Sequence, residues 1–179
     1  MIALKSRYTV DVREELLLLH DKRVVGCIFF IERVQTNIQG LMHFWKTKGN
    51  SGSGEDFSFS KAKNLALNLY RAVAHLHDKH MIYHGEICPR SILVTPEHDV
   101  KFLDLGYAMM YTKHTEAVPS KGCVSDYSRE DVVRGYEMAR PFRKEVYFSN
   151  DFYGVARIAQ DALLLSDTYT SGGFAVGSE

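Results

Sequence analysis

The sequence predicts a mixed α+β fold in a single domain, and three observations support this prediction. The chain has 179 residues, of which 45% are hydrophobic, enough for one sizeable core. Apolar side chains recur at helical spacing from Ala62 to Leu76, and again from Phe152 to Ala162. Between these segments, the apolar runs "SILVT" and "VKFLDL" flank the turn sequence "PEHD" and predict a β-hairpin.

The N-terminal segment is predicted to form one helix followed by buried strands. In "VREELLLLHDK" charged residues precede four leucines, which favours a short helix packed on one face. The next run, "RVVGCIFFIERV", is rich in Val, Ile and Phe and predicts one or two buried strands that end near Glu32. Gly26 can introduce a bend within them.

Three more helices are predicted further along the chain. The first, "NIQGLMHFWKTKG", is short and amphipathic, and the polar, glycine-rich "NSGSGED" after it predicts a flexible surface loop. The second and most regular begins near Ser60, a candidate N-cap. The third covers "NDFYGVARIAQDALLL", and the tail from 166 to 179 is expected to fray.

Charge and cysteine content narrow the class of protein. Lys and Arg number 22, as do Asp and Glu, so no overall field favours nucleic acid as a partner. The three cysteines Cys27, Cys88 and Cys123 lack C-x-x-C spacing, which argues against a disulfide framework or a structural zinc site. The apolar run "VVGCIFFI" is too short to span a bilayer, and no signal peptide is evident. An intracellular, cytoplasmic protein is therefore expected.

An ordered series of motifs in the second half of the chain resembles the protein kinase C-lobe. After the regular helix come His84, a small turn, Pro89, the hairpin and "DLG" at 104 to 106. The family signatures are H-R-D-L-x-x-x-N and D-F-G. Aligned without gaps, Glu86 takes the place of the H-R-D aspartate and Ser91 that of the Asn.

The resemblance extends in both directions from this centre. "IALK" is similar to the V-A-I-K strand, with Lys5 at the lysine, and "GCVSDYSRE" is similar to the end of an activation segment, with Glu130 at the Glu of A-P-E. "DFYGVARI" resembles the start of the long central helix, with Asp151 at its buried aspartate. The resemblance implies a kinase-like domain over 1–179, with a partial N-lobe at 1–36 and a partial, mainly helical C-lobe at 37–179. The Gly-rich loop and the first strands of the family are missing.

The resemblance also implies where ATP and Mg²⁺ would bind. Lys5 would hold phosphate, with its glutamate partner left open between Glu14 and Glu15 on the predicted helix. Asp104 would bind Mg²⁺, a hard cation that prefers oxygen ligands. Ser91 would stand where the family has a second metal ligand. Neither Ser/Thr nor Tyr specificity is indicated, since the neighbouring residues match both patterns in part.

The same loop departs from the family at reactive positions. Glu86 keeps a carboxylate but adds a methylene, which moves the acceptor by about 1 Å, and such a misplacement can cost on the order of 10²-fold in rate. Ser91 offers a hydroxyl on a shorter side chain in place of an amide oxygen. Cys88 replaces the lysine of serine/threonine kinases and removes a cation from the phosphate side.

These changes favour a pseudokinase that serves as a protein-binding or allosteric scaffold. The alternatives are a weak ATP-dependent protein phosphotransferase, which would use Lys5, Asp104 and Glu86, or a fragment of a longer kinase. A kinase core trimmed in this way would expose part of the apolar face of its last helix, which also points to a protein partner. In the intact family Glu130 pairs with an arginine of later helices, so here it must find water or another cation.

Four hydroxyl side chains lie in the segment that resembles the activation loop: Tyr107, Tyr111, Thr112 and Thr115. They are candidate phosphorylation sites, although hydroxyls are common in any surface loop.

Overall fold

The computed structural model describes residues 6–49, 59–97, 99–103, 105–111, 125–140 and 142–171. These residues form short strands and four helices. The strands are β1 Val12–His20, β2 Arg23–Ile31, β3 Thr36–Asn37, β4 Ile82–Tyr83, β5 Ile92–Val94, β6 Val100–Phe102 and β7 Met109–Met110. The helices are α1 Ile38–Gly49, α2 Phe59–His80, α3 Glu130–Glu137 and α4 Lys144–Ser171.

The strands form three small antiparallel sheets. β1 pairs with β2, β4 pairs with β7, and β5 lies between β3 and β6. The β5–β6 pair, which joins Ile92 to Phe102 and Val94 to Val100, is the hairpin expected from the two apolar runs. That prediction is confirmed.

The main core lies between α2, α4 and the β5–β6 hairpin. α2 presents one apolar stripe because its buried residues recur every three or four positions, as a 3.6-residue period requires. The stripe consists of Ala62, Leu65, Leu69, Ala72, Val73 and Leu76. It meets Val155, Ile158 and Ala162 of α4 in a single buried cluster that also contains Phe102. α2 therefore fixes the position of α4, on which the candidate site depends.

The predicted N-terminal helix is wrong, because residues 12–20 form strand β1. Four consecutive leucines fit a strand as well as a helix, and the turn that follows decides between them. Asp21 and Lys22 have φ values of 49° and 62°, and two successive residues with positive φ match the type I′ turn that joins hairpin strands. Glu14 and Glu15 therefore lie on a strand, and the predicted helix that would carry a partner for Lys5 is absent at these residues.

β2 confirms a strand in the apolar run, but the prediction of burial is wrong. Its residues are exposed or half-buried, as are those of β1, because the two strands pair chiefly with each other. The hairpin is joined to the rest of the fold at its base. There the Glu32 N–H donates to the Asp11 carbonyl at 2.9 Å, and Lys101 Nζ lies 2.5 Å from a Glu32 carboxylate oxygen.

The other three helix predictions are confirmed except at their ends. α1 and α2 occur where expected, but α2 begins at Phe59, so Ser60 lies inside its first turn and is not the N-cap. α4 begins at Lys144, so Asp151 lies within this helix rather than at its start, and α4 continues into the predicted tail as far as Ser171. The loop predicted at 50–56 and the tail from 172 onward lie outside the described residues. The division between 36 and 37 falls inside β3 and stays a prediction.

Candidate functional site

The centre of the site is the carboxylate of Asp151, which is fully buried. It accepts hydrogen bonds from the backbone N–H groups of His84 at 2.8 Å and Gly85 at 3.1 Å. His77 Nε2 lies 2.9 Å from the same carboxylate, so this nitrogen carries the proton and donates it. One side chain of α4 thus binds both the end of α2 and the loop that follows β4.

His77 is held by aromatic neighbours as well as by Asp151. Its ring stacks on Phe148 with centroids 4.2 Å apart and meets Phe152 edge-on at 5.0 Å. This role of His77 was not predicted from the sequence. A signal was available, since His77 continues the buried stripe of Leu69 and Val73 at intervals of four residues. A polar residue on such a stripe requires a buried partner.

The turn at 84 to 86 requires glycine at its centre. Gly85 has a φ of 84°, and a Cβ there would come within 2.7 Å of the Tyr107 carbonyl oxygen. Glycine is the residue that adopts this conformation at little cost. The buried His84 ring completes the turn, since its Nδ1 accepts the N–H of Glu86 at 3.2 Å.

A second glycine sets the distance between the loop and α4. A Cβ on Gly154 would meet the Ile87 carbonyl oxygen at 2.8 Å and the Ile87 Cβ at 2.9 Å. Ile87 is itself buried in the main core. The loop therefore lies directly on the helix, one turn beyond Asp151.

The two reactive positions predicted in the loop are both described. The Glu86 side chain is 12% exposed, and one carboxylate oxygen lies 3.5 Å from the guanidinium of Arg90, four residues later. Ser91 is buried, with its hydroxyl 2.6 Å from the Glu86 carbonyl oxygen and 3.0 Å from that of Cys88. The same hydroxyl accepts the Cys88 N–H at 3.3 Å. The Ser91 hydroxyl thus links the end of the loop to the backbone of Glu86 and Cys88.

Lys5 and Asp104 lie outside the described residues, so their predicted roles toward phosphate and Mg²⁺ stay predictions. The residues on both sides of Asp104 nevertheless contact the loop. The Leu103 N–H donates to the Ser91 carbonyl at 3.2 Å, and the Tyr107 carbonyl lies against Gly85. Within the described ranges, no three His, Cys, Asp or Glu side chains are arranged to hold a metal ion.

Glu130 forms an ion pair with a residue of its own helix. It begins α3, a helix that the sequence analysis did not predict, and it pairs with Arg134 one turn later on an exposed surface. Arg129 holds the start of α3 against α4, because its backbone N–H donates to Asn150 Oδ1 at 2.8 Å. Arg129 also forms two hydrogen bonds with the Asp131 carboxylate, at 2.7 and 2.9 Å.

A group of tyrosines packs beneath the loop on the side of α4. The Tyr83 and Tyr136 hydroxyls lie 3.2 Å apart, and the Tyr147 ring meets that of Tyr83 edge-on. Burial, followed by the nearby Asp151 carboxylate, raises the pKa of Tyr83 and of Tyr111 well above the usual range. Tyr111 is buried, so the expectation of an exposed, modifiable hydroxyl is wrong for it. Tyr107 is exposed, while 112 and 115 lie outside the described residues.

Sequence comparisons identify no relative. No protein family model matches the chain, and no curated protein sequence matches it. Within the described part of the chain, no helix is both long and apolar enough to cross a membrane.

Comparison with solved structures gives a clear likeness in fold. A chain of the yeast RNA Pol II CTD kinase CTDK-1 complex matches with a TM-score of 0.66 at 16% sequence identity. The match covers 91% of this chain and 47% of that chain, so this chain spans about half the length of the solved one. At such low identity the likeness concerns the fold alone, and that fold is kinase-like.

Proposed function

We propose that this chain is a pseudokinase, a protein with a kinase-like fold that binds a protein partner and does not transfer phosphate efficiently. The observation that carries the proposal is the state of the loop at 84 to 91. Its backbone is hydrogen-bonded to Asp151 of α4, while the side chains at the two reactive positions contact atoms of the same loop. A solved neighbour in fold belongs to a complex, which is consistent with a binding role.

The contact between Glu86 and Arg90 weakens the case for a general base. A base must lie within hydrogen-bonding distance of the hydroxyl whose proton it removes. Arg90 Nη2 lies 3.5 Å from a Glu86 carboxylate oxygen and competes with a substrate hydroxyl for the same carboxylate. The longer Glu side chain adds a displacement of about 1 Å relative to Asp.

The contacts of Ser91 weaken the case for a second metal ligand. Its hydroxyl lies within hydrogen-bonding distance of two carbonyl oxygens, those of Glu86 and Cys88, and it is buried. Coordination of Mg²⁺ would require it to leave these partners, and Mg²⁺ demands a near-ideal octahedral set of oxygens. A structural role in the loop explains a serine at this position without any metal.

A transfer assay tests the loss of chemistry. The purified chain is incubated with radiolabelled ATP, Mg²⁺ and generic acceptor proteins, beside the Asp104→Ala variant. We expect no incorporation above that of the variant, because the loop offers neither a free base nor a second metal ligand. Turnover by the natural chain that Asp104→Ala abolishes would falsify the proposal.

A binding assay tests the scaffold role. A partner recovered with the natural chain should bind the Glu86→Ala and Asp104→Ala variants with the same affinity, because a scaffold role does not require the carboxylates of phosphoryl transfer. A tenfold weaker complex with either variant would indicate that recognition depends on the reactive positions.

The alternative function is a slow ATP-dependent phosphotransferase that uses Lys5, Asp104 and Glu86 as phosphate clamp, metal ligand and base. What favours it is the proximity of Leu103 and Tyr107, described residues on either side of Asp104, to the loop that carries Glu86. A ligand that binds only the folded chain raises its melting temperature. A shift with saturating ATP and Mg²⁺, absent for Asp104→Ala, would support this alternative, and no shift would count against it.

A further inference from the structure

The hairpin formed by β1 and β2 exposes apolar side chains on both of its faces. The exposed residues are Val12, Leu16, Leu17, Leu18 and Leu19 on β1, and Val24, Val25, Ile28, Phe29 and Phe30 on β2. Apart from pairing with each other, the two strands make no extensive contact with another described helix or strand. A two-stranded hairpin is marginally stable in water, and independent stability requires a third strand or packing against a helix. Among the described elements the hairpin has neither, and an additional strand would extend its sheet.

The outer edge of β1 is the better edge for such a strand. On β1, every residue from Glu14 to His20 has a partner on β2. This stretch is bounded by a register shift next to Val12 and by the turn at Asp21. On β2 one residue is extra, because consecutive residues Leu18 and Leu19 pair with Gly26 and Val24 and leave Val25 without an opposite residue. A bulge of this kind twists an edge and discourages pairing.

The segment of β1 from Glu14 to His20 is complementary to itself. Its midpoint is Leu17, so antiparallel pairing of two copies about that residue aligns the whole segment. Glu14 of one copy then lies opposite His20 of the other, and leucines lie opposite leucines at the centre. The Glu14 carboxylate can accept a hydrogen bond from the His20 imidazole, and apolar cross-strand pairs stabilise an antiparallel sheet, whereas like charges directly opposite each other destabilise it. In the same register Glu15 lies opposite Leu19. Moving the axis to Leu18 would instead place Glu15 opposite the Asp21 carboxylate.

We propose that β1 binds β1 of a second copy of this chain, antiparallel and about a two-fold axis through Leu17. The product is a continuous four-stranded sheet in the order β2, β1, β1, β2. A closed two-fold interface uses the same surface on both copies, as this one does. The inference goes beyond the proposed function, because it concerns the hairpin and not the loop at 84 to 91.

A lysine at the axis gives the sharpest test. In Leu17→Lys the two introduced charges face each other across the axis, whereas Val25→Lys places the same charge on the far strand. Leu17 is 52% exposed and Val25 is 64% exposed, so both monomers should fold. Sedimentation velocity up to about 200 µM should show a dimer for the natural chain and Val25→Lys, and a monomer for Leu17→Lys.

A charge exchange tests the register. Glu14→Lys and His20→Glu should each weaken the dimer on the order of tenfold, because each change affects two symmetric pairs. The double variant carries both substitutions, so it sets a lysine opposite a carboxylate in each pair. It should therefore restore the dimer.

Three outcomes would overturn the inference. The first is a natural chain that stays monomeric throughout this range, which would mean that β1 is covered by another protein or by another segment of the same chain. The second is equal loss of the dimer in Val25→Lys and Leu17→Lys. The third is a double charge variant no stronger than either single variant, which would place the contact in a different register.

Discussion

Replacing Asp151 with Asn should strongly destabilise the fold, although the two side chains have nearly the same shape. The carboxylate accepts from the N–H groups of His84 and Gly85 and from His77 Nε2, all at 3.1 Å or less. Asn keeps one oxygen, but its NH₂ group must face one of these donors. A buried donor left without an acceptor costs about 1–3 kcal/mol, and a hydrogen bond to a charged acceptor is worth about 1.5–3 kcal/mol. We therefore expect a loss of about 3 kcal/mol, at the upper end of both ranges.

Urea denaturation followed by circular dichroism measures this loss. With a slope of about 2 kcal/mol per M, a change of about 3 kcal/mol lowers the midpoint by about 1.5 M. The matched control is Asp78→Asn, which makes the same chemical change at an exposed residue next to His77 and should stay within about 0.5 kcal/mol of the natural chain. If Asp151→Asn also stayed within that margin, the carboxylate would not be what holds the loop on α4.

Three further substitutions test other contacts. Gly154→Ala should destabilise the chain by about 1–3 kcal/mol in the same urea assay, because the added Cβ meets the Ile87 carbonyl at 2.8 Å, although Gly to Ala in a helix ordinarily stabilises. Ser91→Ala should cost about 1–2 kcal/mol, since it removes the hydroxyl that links two loop carbonyls. Burial alone would raise the pKa of Glu32, but the hydrogen bond and charge of Lys101 lower it overall. The stability that this ion pair contributes should therefore be present above pH 4.5 and be lost as the pH falls through the lowered pKa of Glu32. In Glu32→Gln that part of the pH dependence should disappear.

Each of these predictions has a clear contrary result. A Gly154→Ala variant more stable than the natural chain would mean that the helix and the loop are not in close contact. A Ser91→Ala variant of unchanged stability would leave its hydroxyl available for another role. Equal acid sensitivity of Glu32→Gln and the natural chain would show that the ion pair with Lys101 does not contribute to stability.

The helical core could be predicted from the sequence because its pattern is regular. The apolar residues of α2 repeat every three or four positions, and the turn sequence "PEHD" separates two apolar runs. β1 could not be predicted in this way, since "LLLL" has no period of its own. The segment forms a strand because Asp21 and Lys22 adopt left-handed conformations that turn the chain back into a hairpin. Neither residue type favours this conformation strongly.

The candidate site was predictable in its framework but not in its contacts. Aligning His84 and Asp151 with a known family indicated which segments belong together. It could not indicate that Ser91 turns inward onto two carbonyl oxygens or that Glu86 lies beside Arg90, because both contacts depend on the conformation of the loop. The role of His77 depends on packing between two helices far apart in sequence.

The position of Asp151 inside α4 has a consequence for how the molecule opens. The amide protons of His84 and Gly85 are held by a side chain whose own backbone belongs to the longest described helix. Their exchange with deuterium therefore requires that helix to separate from the loop, and not merely local fluctuation of a turn. Two loop amides should thus exchange at the slow rate of the helical core and report on its cooperative unfolding.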